Sequence, residues 1–209
     1  MIDNRANRCN ICRMTYRKKI ARLADVCKIQ TGYTARGALK PVLSGGVKAM
    51  QLRDVQDGVV FDASNLPSYE LNGAIDRYWV GPGDVLFRSR GEKNAAIAVA
   101  GTSGAAIAVL PLLILRPNHN VIEAQYLAWF INQAPSQKYF DSCARGTGIR
   151  MISRPCLEDL EIVVPDLGVQ RRVVEVDRLA RREGELQMLL VEKRAALSSA
   201  VLLSQIKYA

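Results

Sequence analysis

From Leu23 to Pro165 the chain is a series of short apolar runs separated by glycine, proline and aspartate, and one long helical pattern follows. The run Val85-Leu86-Phe87 after Gly81-Pro82-Gly83-Asp84 predicts a strand entered through a tight turn. From Ala95 to Leu115 there are 21 residues without a charge, interrupted by Gly101-Thr-Ser-Gly104 and by Pro111. That length would suit a membrane span, but the interruptions and the β-compatible pieces predict two buried strands joined by a turn. Residues 47–61, with Asp57-Gly58 inside them, predict a strand pair. Leu23, Val26 and Ile29 suggest a short helical turn before Thr31-Gly32. Ile122, Tyr126, Trp129, Phe130 and Ile131 approximate helical spacing, with an end or kink at Pro135, and Trp129 and Phe130 read as core. Residues 149–165 predict a further strand-like unit closing on Pro165.

Beyond Pro165 the rhythm changes. From Asp166 to about Gln205 there is no proline, and Val169, Val173, Val176, Ala180, Leu190, Leu197 and Val201 fall on one heptad-like track. Glu183, Gln187 and Arg194 interrupt it, and Gly184 weakens the helix. Arg171/Glu175, Asp177/Arg181 and Arg181/Glu185 are spaced for i,i+4 ion pairs. Such a helix is roughly 57 Å long at 1.5 Å per residue, more than the width of a domain of this size, so much of it projects and needs a partner. The fold class expected is α+β: a β-rich domain over 23–165, a basic arm over 1–22, and a long helical segment over 166–209.

Charge sharpens the picture. The formal net charge is +9, which favours a polyanionic partner. Seven lysines and arginines against Asp3 fill the first 22 residues, as in a solvated arm able to track phosphates. Five cysteines at irregular spacings, with no apolar signal segment before them, predict free thiols in a reducing cytoplasm. Cys9-x-x-Cys12 is at most half a zinc site, with Cys27 and His119 poor completions, so no metal is expected.

Catalytic signatures are absent: there is no phosphate-binding Gly-x-x-x-x-Gly-Lys, no Gly-x-Ser-x-Gly elbow, and a single histidine in a polar turn. Basic residues beside glycine recur instead, at Arg36-Gly37, at Arg88-Ser89-Arg90-Gly91 with Lys93, and at Arg145-Gly146-Thr147-Gly148 with Arg150. Glycine admits close approach, and arginine binds a guanine edge or a phosphate through two hydrogen bonds. The candidate DNA-contacting residues are Arg36, Lys48, Arg88, Arg90, Lys93, Arg145, Thr147 and Arg150. Solvated turns are the plainer reading of the same loops.

Three blocks in order, "LADVCKIQTGYT", "VGPGDVLFRSRG" and "GTGIRMISRPCLEDLEIVVPDLGVQRRVVEVDRL", resemble the specificity (S) subunit of Type I restriction-modification enzymes, as one target recognition domain and one spacer helix. The resemblance rests on Leu23 to Gly32, on Pro82 to Leu86, on Gly146, Thr147, Arg150, Ile152 and Ser153, and on Ile162 to Pro165 with Leu167 and Gln170. The usual subunit carries two such domains and two such helices, and this sequence shows one of each. The resemblance implies a non-catalytic protein without a cofactor of its own. Its partners would be double-stranded DNA, an adenine methyltransferase subunit that binds S-adenosylmethionine, and a nuclease/translocase subunit, with no membrane role.

Because one helix leaves its apolar track uncovered, a homodimer is expected, with the helices paired as an antiparallel coiled coil through Val173, Val176, Ala180, Leu190, Leu197 and Val201. The target would then be bipartite and palindromic. Two other classes compete: a helical interaction or scaffold protein with incidental basic loops, and an enzyme such as a divergent nuclease.

Overall fold

A computed structural model describes residues 19–35, 37–55, 66–91, 93–99, 106–143 and 151–207. The body is three layers deep: helices, a four-stranded sheet, and a five-stranded sheet. The four-stranded sheet runs β2 (Cys27–Thr31), β10 (Leu112–Pro117), β7 (Val85–Arg88), β8 (Ala95–Ala98), all antiparallel. The five-stranded sheet runs β3 (Pro41–Val42), β5 (Ser68–Tyr69), β4 (Val47–Met50), β9 (Ala106–Ala108), β6 (Trp79–Val80), with β4 and β9 parallel. A two-stranded ribbon pairs β1 (Lys19–Arg22) with β11 (Glu161–Val164).

The uncharged stretch is explained by burial on both faces. From β7 and β10, Val85, Phe87, Leu113 and Leu115 enter the core under the helices, while Leu86, Leu112 and Ile114 enter the core between the sheets. A strand covered on both sides shows a continuous apolar run rather than an alternation. The expected pair of strands is in fact three. The second piece breaks at the Leu110–Pro111 turn, so Ala106–Ala108 joins one sheet and Leu112–Pro117 the other. Buried strand β8 is hydrogen-bonded on its outer edge by Asn132, whose amide donates to the Ala96 carbonyl at 2.9 Å and accepts from its N–H at 2.8 Å.

Other expectations shift in detail. Leu23–Val26 is a single turn, α1, but Ile29 belongs to β2, where Cys27 and Ile29 alternate inward with Lys28 outward. Lys19–Arg22, assigned to the arm by charge, is strand β1, and residues 1–18 with Cys9 and Cys12 lie outside the described residues. Val47–Met50 is a strand, but it pairs with β5 and β9; Asp57-Gly58 lies outside the described residues. The helical segment is two helices, α2 (Ala124–Asn132) and α3 (Ala134–Cys143), with Pro135 in the first turn of the second, where a missing N–H costs nothing. Trp129 and Phe130 pack against the core as expected. The last strand-like unit is a short helix, α4 (Arg154–Glu158), before β11; Ser153 caps it by accepting from the Cys156 N–H.

The C-terminal helix, α5, spans Leu167–Lys207, and it is held to the body at its first turns. Gln170 is fully buried: its carbonyl accepts from the Glu123 N–H at 2.8 Å, and its amide donates to Val121 and Pro165 carbonyls at 2.9 and 2.7 Å. Arg171 pairs with Glu123 at 2.7 Å, so it reaches back to the body rather than along the helix to Glu175. Val173 and Val174 are half-buried against the helix-side core. From Glu175 outward the apolar side chains stand in solvent: Val176, Leu179, Leu186, Leu190, Leu197 and Val201 are all exposed. Replacing Gln170 by Leu strips three backbone groups around a buried side chain of their partner. At the low end of the about 1–3 kcal/mol that each unsatisfied group costs, the variant should lose at least roughly 3 kcal/mol of stability, read as a lower urea midpoint.

Candidate nucleic-acid interface

Strands β7 and β8 form a hairpin in which Arg88 lies opposite Ala95, and Ser89, Arg90, Gly91, Lys93 and Asn94 lie at its tip. The tip is tied down from below. The Ser89 hydroxyl is buried and donates to the Pro111 carbonyl, and the Asn94 amide donates to the Arg88 carbonyl at 3.0 Å. Ser89 also accepts from the Ile152 N–H at 2.8 Å, and Arg90 forms an antiparallel bridge with Met151. Arg90 and Lys93 are exposed and Arg88 is half-exposed. Gly91 has φ +134°, and a Cβ there would meet the Arg88 guanidinium at 2.6 Å. The glycine therefore makes room for the arginine three residues earlier, whose Nε donates to the Arg90 carbonyl at 3.2 Å. Arg88 is thus set in place rather than free to swing.

The same end of the sheet gathers the Thr31-Gly32 block. Gly32 donates to the Leu112 carbonyl at 2.9 Å, and the Leu110 N–H donates to Tyr33 at 2.9 Å. A Cβ on Gly32 would meet the Ala108 and Leu112 carbonyl oxygens and the Leu110 nitrogen within 2.9 Å, which is why a glycine follows Thr31. Ile152, beyond the third glycine-rich block, is a buried plug, and its neighbour Ser153 is the cap already described. Three blocks distant in sequence therefore meet around Pro111. Of the candidate contacts, Arg88, Arg90 and Lys93 share the tip, while Lys48 lies on β4 in the other sheet. Arg36, Arg145, Thr147 and Arg150 lie outside the described residues.

The opposite end of β7 is structural. In the Gly81–Asp84 turn the Asp84 carboxylate accepts from the Gly81 N–H at 3.0 Å, and Gly83, at φ +88°, lies under the His119 ring. Burial raises the Asp84 pKa, against the Gly81 hydrogen bond and the charges of Arg116 and His119. Arg116, which sequence reasoning passed over, donates to the carbonyls of Arg77 and Trp79 at 3.1 and 3.0 Å and to Gln30 at 3.0 Å. Its position inside an apolar strand was the available signal, since a charge there needs such partners. Among the described residues no cluster of His, Cys, Asp or Glu could hold a metal, and no helix is long and apolar enough to cross a membrane.

No protein-family model and no curated protein sequence matches the chain. Solved structures do. A chain in a structure described as the complex assembly and conformational transition of the type I R-M system is 21% identical, with a TM-score of 0.62, over 87% of this chain and 43% of that one. The HsdS subunit from Thermoanaerobacter tengcongensis is 20% identical, with a TM-score of 0.58, over 81% of this chain and 39% of its own. The Type-I restriction-modification system S subunit from M. genitalium is 12% identical, with a TM-score of 0.53, over 79% and 39%. The chain has the fold of these subunits, over about two-fifths of their length.

At the end of β2 away from the tip, where Cys27 lies opposite Pro117, burial pushes the Cys27 thiol up to about 12. Below the unfolded thiol's value of about 8.5 both states are protonated and the contribution is fully present; between there and about 12 only the unfolded chain ionises, so stability is lost as pH rises. Urea midpoints should fall from pH 8 to pH 10.5, and fall less in Cys27→Ala.

Proposed function

We propose that the chain is a DNA-recognition component of a Type I-like restriction-modification enzyme, non-catalytic itself. It would direct a separate adenine methyltransferase, which holds the S-adenosylmethionine, and a nuclease/translocase subunit where the system has one. The observation that carries this reading is the fixed Arg88-Ser89-Arg90-Gly91 tip at the end of a sheet whose fold is shared with S subunits. Its cations stand beside Met151, at the edge of the third glycine-rich block, and the net charge of +9 suits a polyanion. Arg88, held by Arg90, suits contact at a defined position, while exposed Lys93 suits a phosphate.

The exposed apolar face of α5 supports a homodimer through paired helices, each copy reading one half of a palindromic target interrupted by an unread spacer. A helical interaction protein would use the same face, but it leaves the anchored arginine tip without a role.

Arg88→Ala and Arg90→Ala test the tip by fluorescence anisotropy on duplex DNA across a salt series. A base-reading arginine should cost about 1–3 kcal/mol and relax preference at one position. A phosphate contact should weaken all sequences alike and flatten the salt slope. Unchanged binding in both variants, with folding intact, removes the tip from the interface.

The purified chain should neither cleave DNA with magnesium nor transfer methyl groups from S-adenosylmethionine. Added to a cognate methyltransferase subunit, it should produce adenine methylation at an interrupted palindrome. Methylation by the chain alone would overturn the reading.

A further inference from the structure

The exposed part of α5 carries a sharper pattern than its overall apolarity. Val176, Glu183, Leu190 and Leu197 recur at intervals of seven, and Leu179, Leu186, Lys193 and Ala200 recur three residues after each. This is a heptad seam in which six positions are apolar and two are charged with opposite sign. The five large apolar members are between 48% and 66% exposed, so the seam is uncovered within the chain. Ala180 and Val201, placed on the track by sequence, flank this seam, and Val173 belongs to the body.

The charges of the preceding turns are satisfied along the helix: Arg178 with Glu175 at 2.7 Å, Arg181 with Asp177 at 2.8 Å, Arg182 with Glu185 at 2.9 Å. Glu183 and Lys193 belong to none of the ion pairs among the described residues; Glu183 accepts only a long hydrogen bond, 3.3 Å, from Gln187.

We infer that α5 pairs with α5 of a second copy, antiparallel, in the one register that sets Glu183 of each copy against Lys193 of the other. This rests on the homodimer reading above and specifies it. The register follows from charge complementarity and is checked by every other layer. With Glu183 opposite Lys193, Val176 lies opposite Ala200, Leu179 opposite Leu197, and Leu186 opposite Leu190. No apolar residue faces a charge. The two-fold axis then crosses the helix at Met188, one residue from the midpoint of Leu167–Lys207, so the helices overlap along nearly their whole length.

The competing arrangements fail on the same residues. Sliding by one heptad sets Glu183 against Leu186 or Ala200, and Lys193 against Val176 or Leu190, burying four uncompensated charges per dimer. A parallel pair in register sets Glu183 against Glu183 and Lys193 against Lys193. A buried polar pair contributes little net stability, but its mismatch is costly, and fixing register is its best-attested use.

The test is sedimentation equilibrium of the full chain without DNA. Glu183→Lys and Lys193→Glu each create two like-charge contacts, and each should raise the dimer dissociation constant at least tenfold. The chain carrying both substitutions restores two opposite-charge contacts and should return to within about threefold of the unaltered dimer. A helix-surface charge swap that merely perturbed folding would not be rescued by a second one. Independently, a Leu186→Cys chain mixed with a Leu190→Cys chain should cross-link between those two positions, identified by mass spectrometry. A monomeric unaltered chain, single swaps without effect, or a double variant no better than the singles overturns the register. Those results leave DNA binding through the tip standing, whereas loss of the tip's role would leave the register untouched.

Discussion

Everything the long helix can do depends on the way Gln170 is held. A helix that projects from a small domain acts as a rigid arm only if its root cannot pivot. Gln170 supplies that root by bonding three backbone groups on three sides: the Glu123 N–H before α2, the Val121 carbonyl, and the Pro165 carbonyl that ends β11. All its polar capacity at these contacts is buried, so each bond is retained in a medium where losing it is expensive. Arg171 on Glu123 and the packed Val173 and Val174 extend the joint by one turn. Beyond them the helix leaves the body, and its direction is set by that joint.

A similar logic fixes the arginine tip. Ser89 is buried and bonded to Pro111, so the strand cannot fray before Arg90, and Gly91 opens the space into which Arg88 folds. Ile152 and Met151 clamp the other side. The tip is therefore a piece of the sheet extended outward. A surface that presents cations at repeatable positions gains from such support, because the backbone that carries them is already fixed.

Much of this was legible in the sequence where local chemistry dictates structure. The Gly-Pro-Gly-Asp turn, the strand after it and the C-terminal helix are set by φ preferences and periodicity, and they fall where those place them. What periodicity could not reveal was sheet membership. Ala106–Ala108 and Leu112–Leu115 are both uniformly apolar because each is covered on two faces, so nothing in the run assigns them to different sheets. Likewise, Ile29 fits a helical spacing with Val26 and an alternating spacing with Cys27, and tertiary pairing with β10 decides for the strand. The role of Gly91 was only half legible: a glycine beside arginines signals close approach, but the group approaching it is Arg88 itself. Of the apolar track on α5, Val173 went to the body because the helix is rooted one turn later than a free heptad pattern would suggest.

The root and the seam together define a length. In the proposed antiparallel dimer Gln170 of one copy would stand opposite Ile206 of the other, which would put the two roots roughly 54 Å apart at 1.5 Å per residue. Along B-DNA, at 3.4 Å per base pair, that is about 16 base pairs, or one and a half turns. A slip of one heptad would change the separation by roughly 10 Å, about three base pairs, and would rotate one domain around the duplex by more than a quarter turn relative to the other. Under the proposed DNA-reading role, the two tips would then no longer face the duplex together. An all-leucine seam would bind more tightly but would tolerate the slip, whereas a seam interrupted by Glu183 and Lys193 does not. In the proposed dimer, the stability given up at those two layers would keep the distance between the tips single-valued.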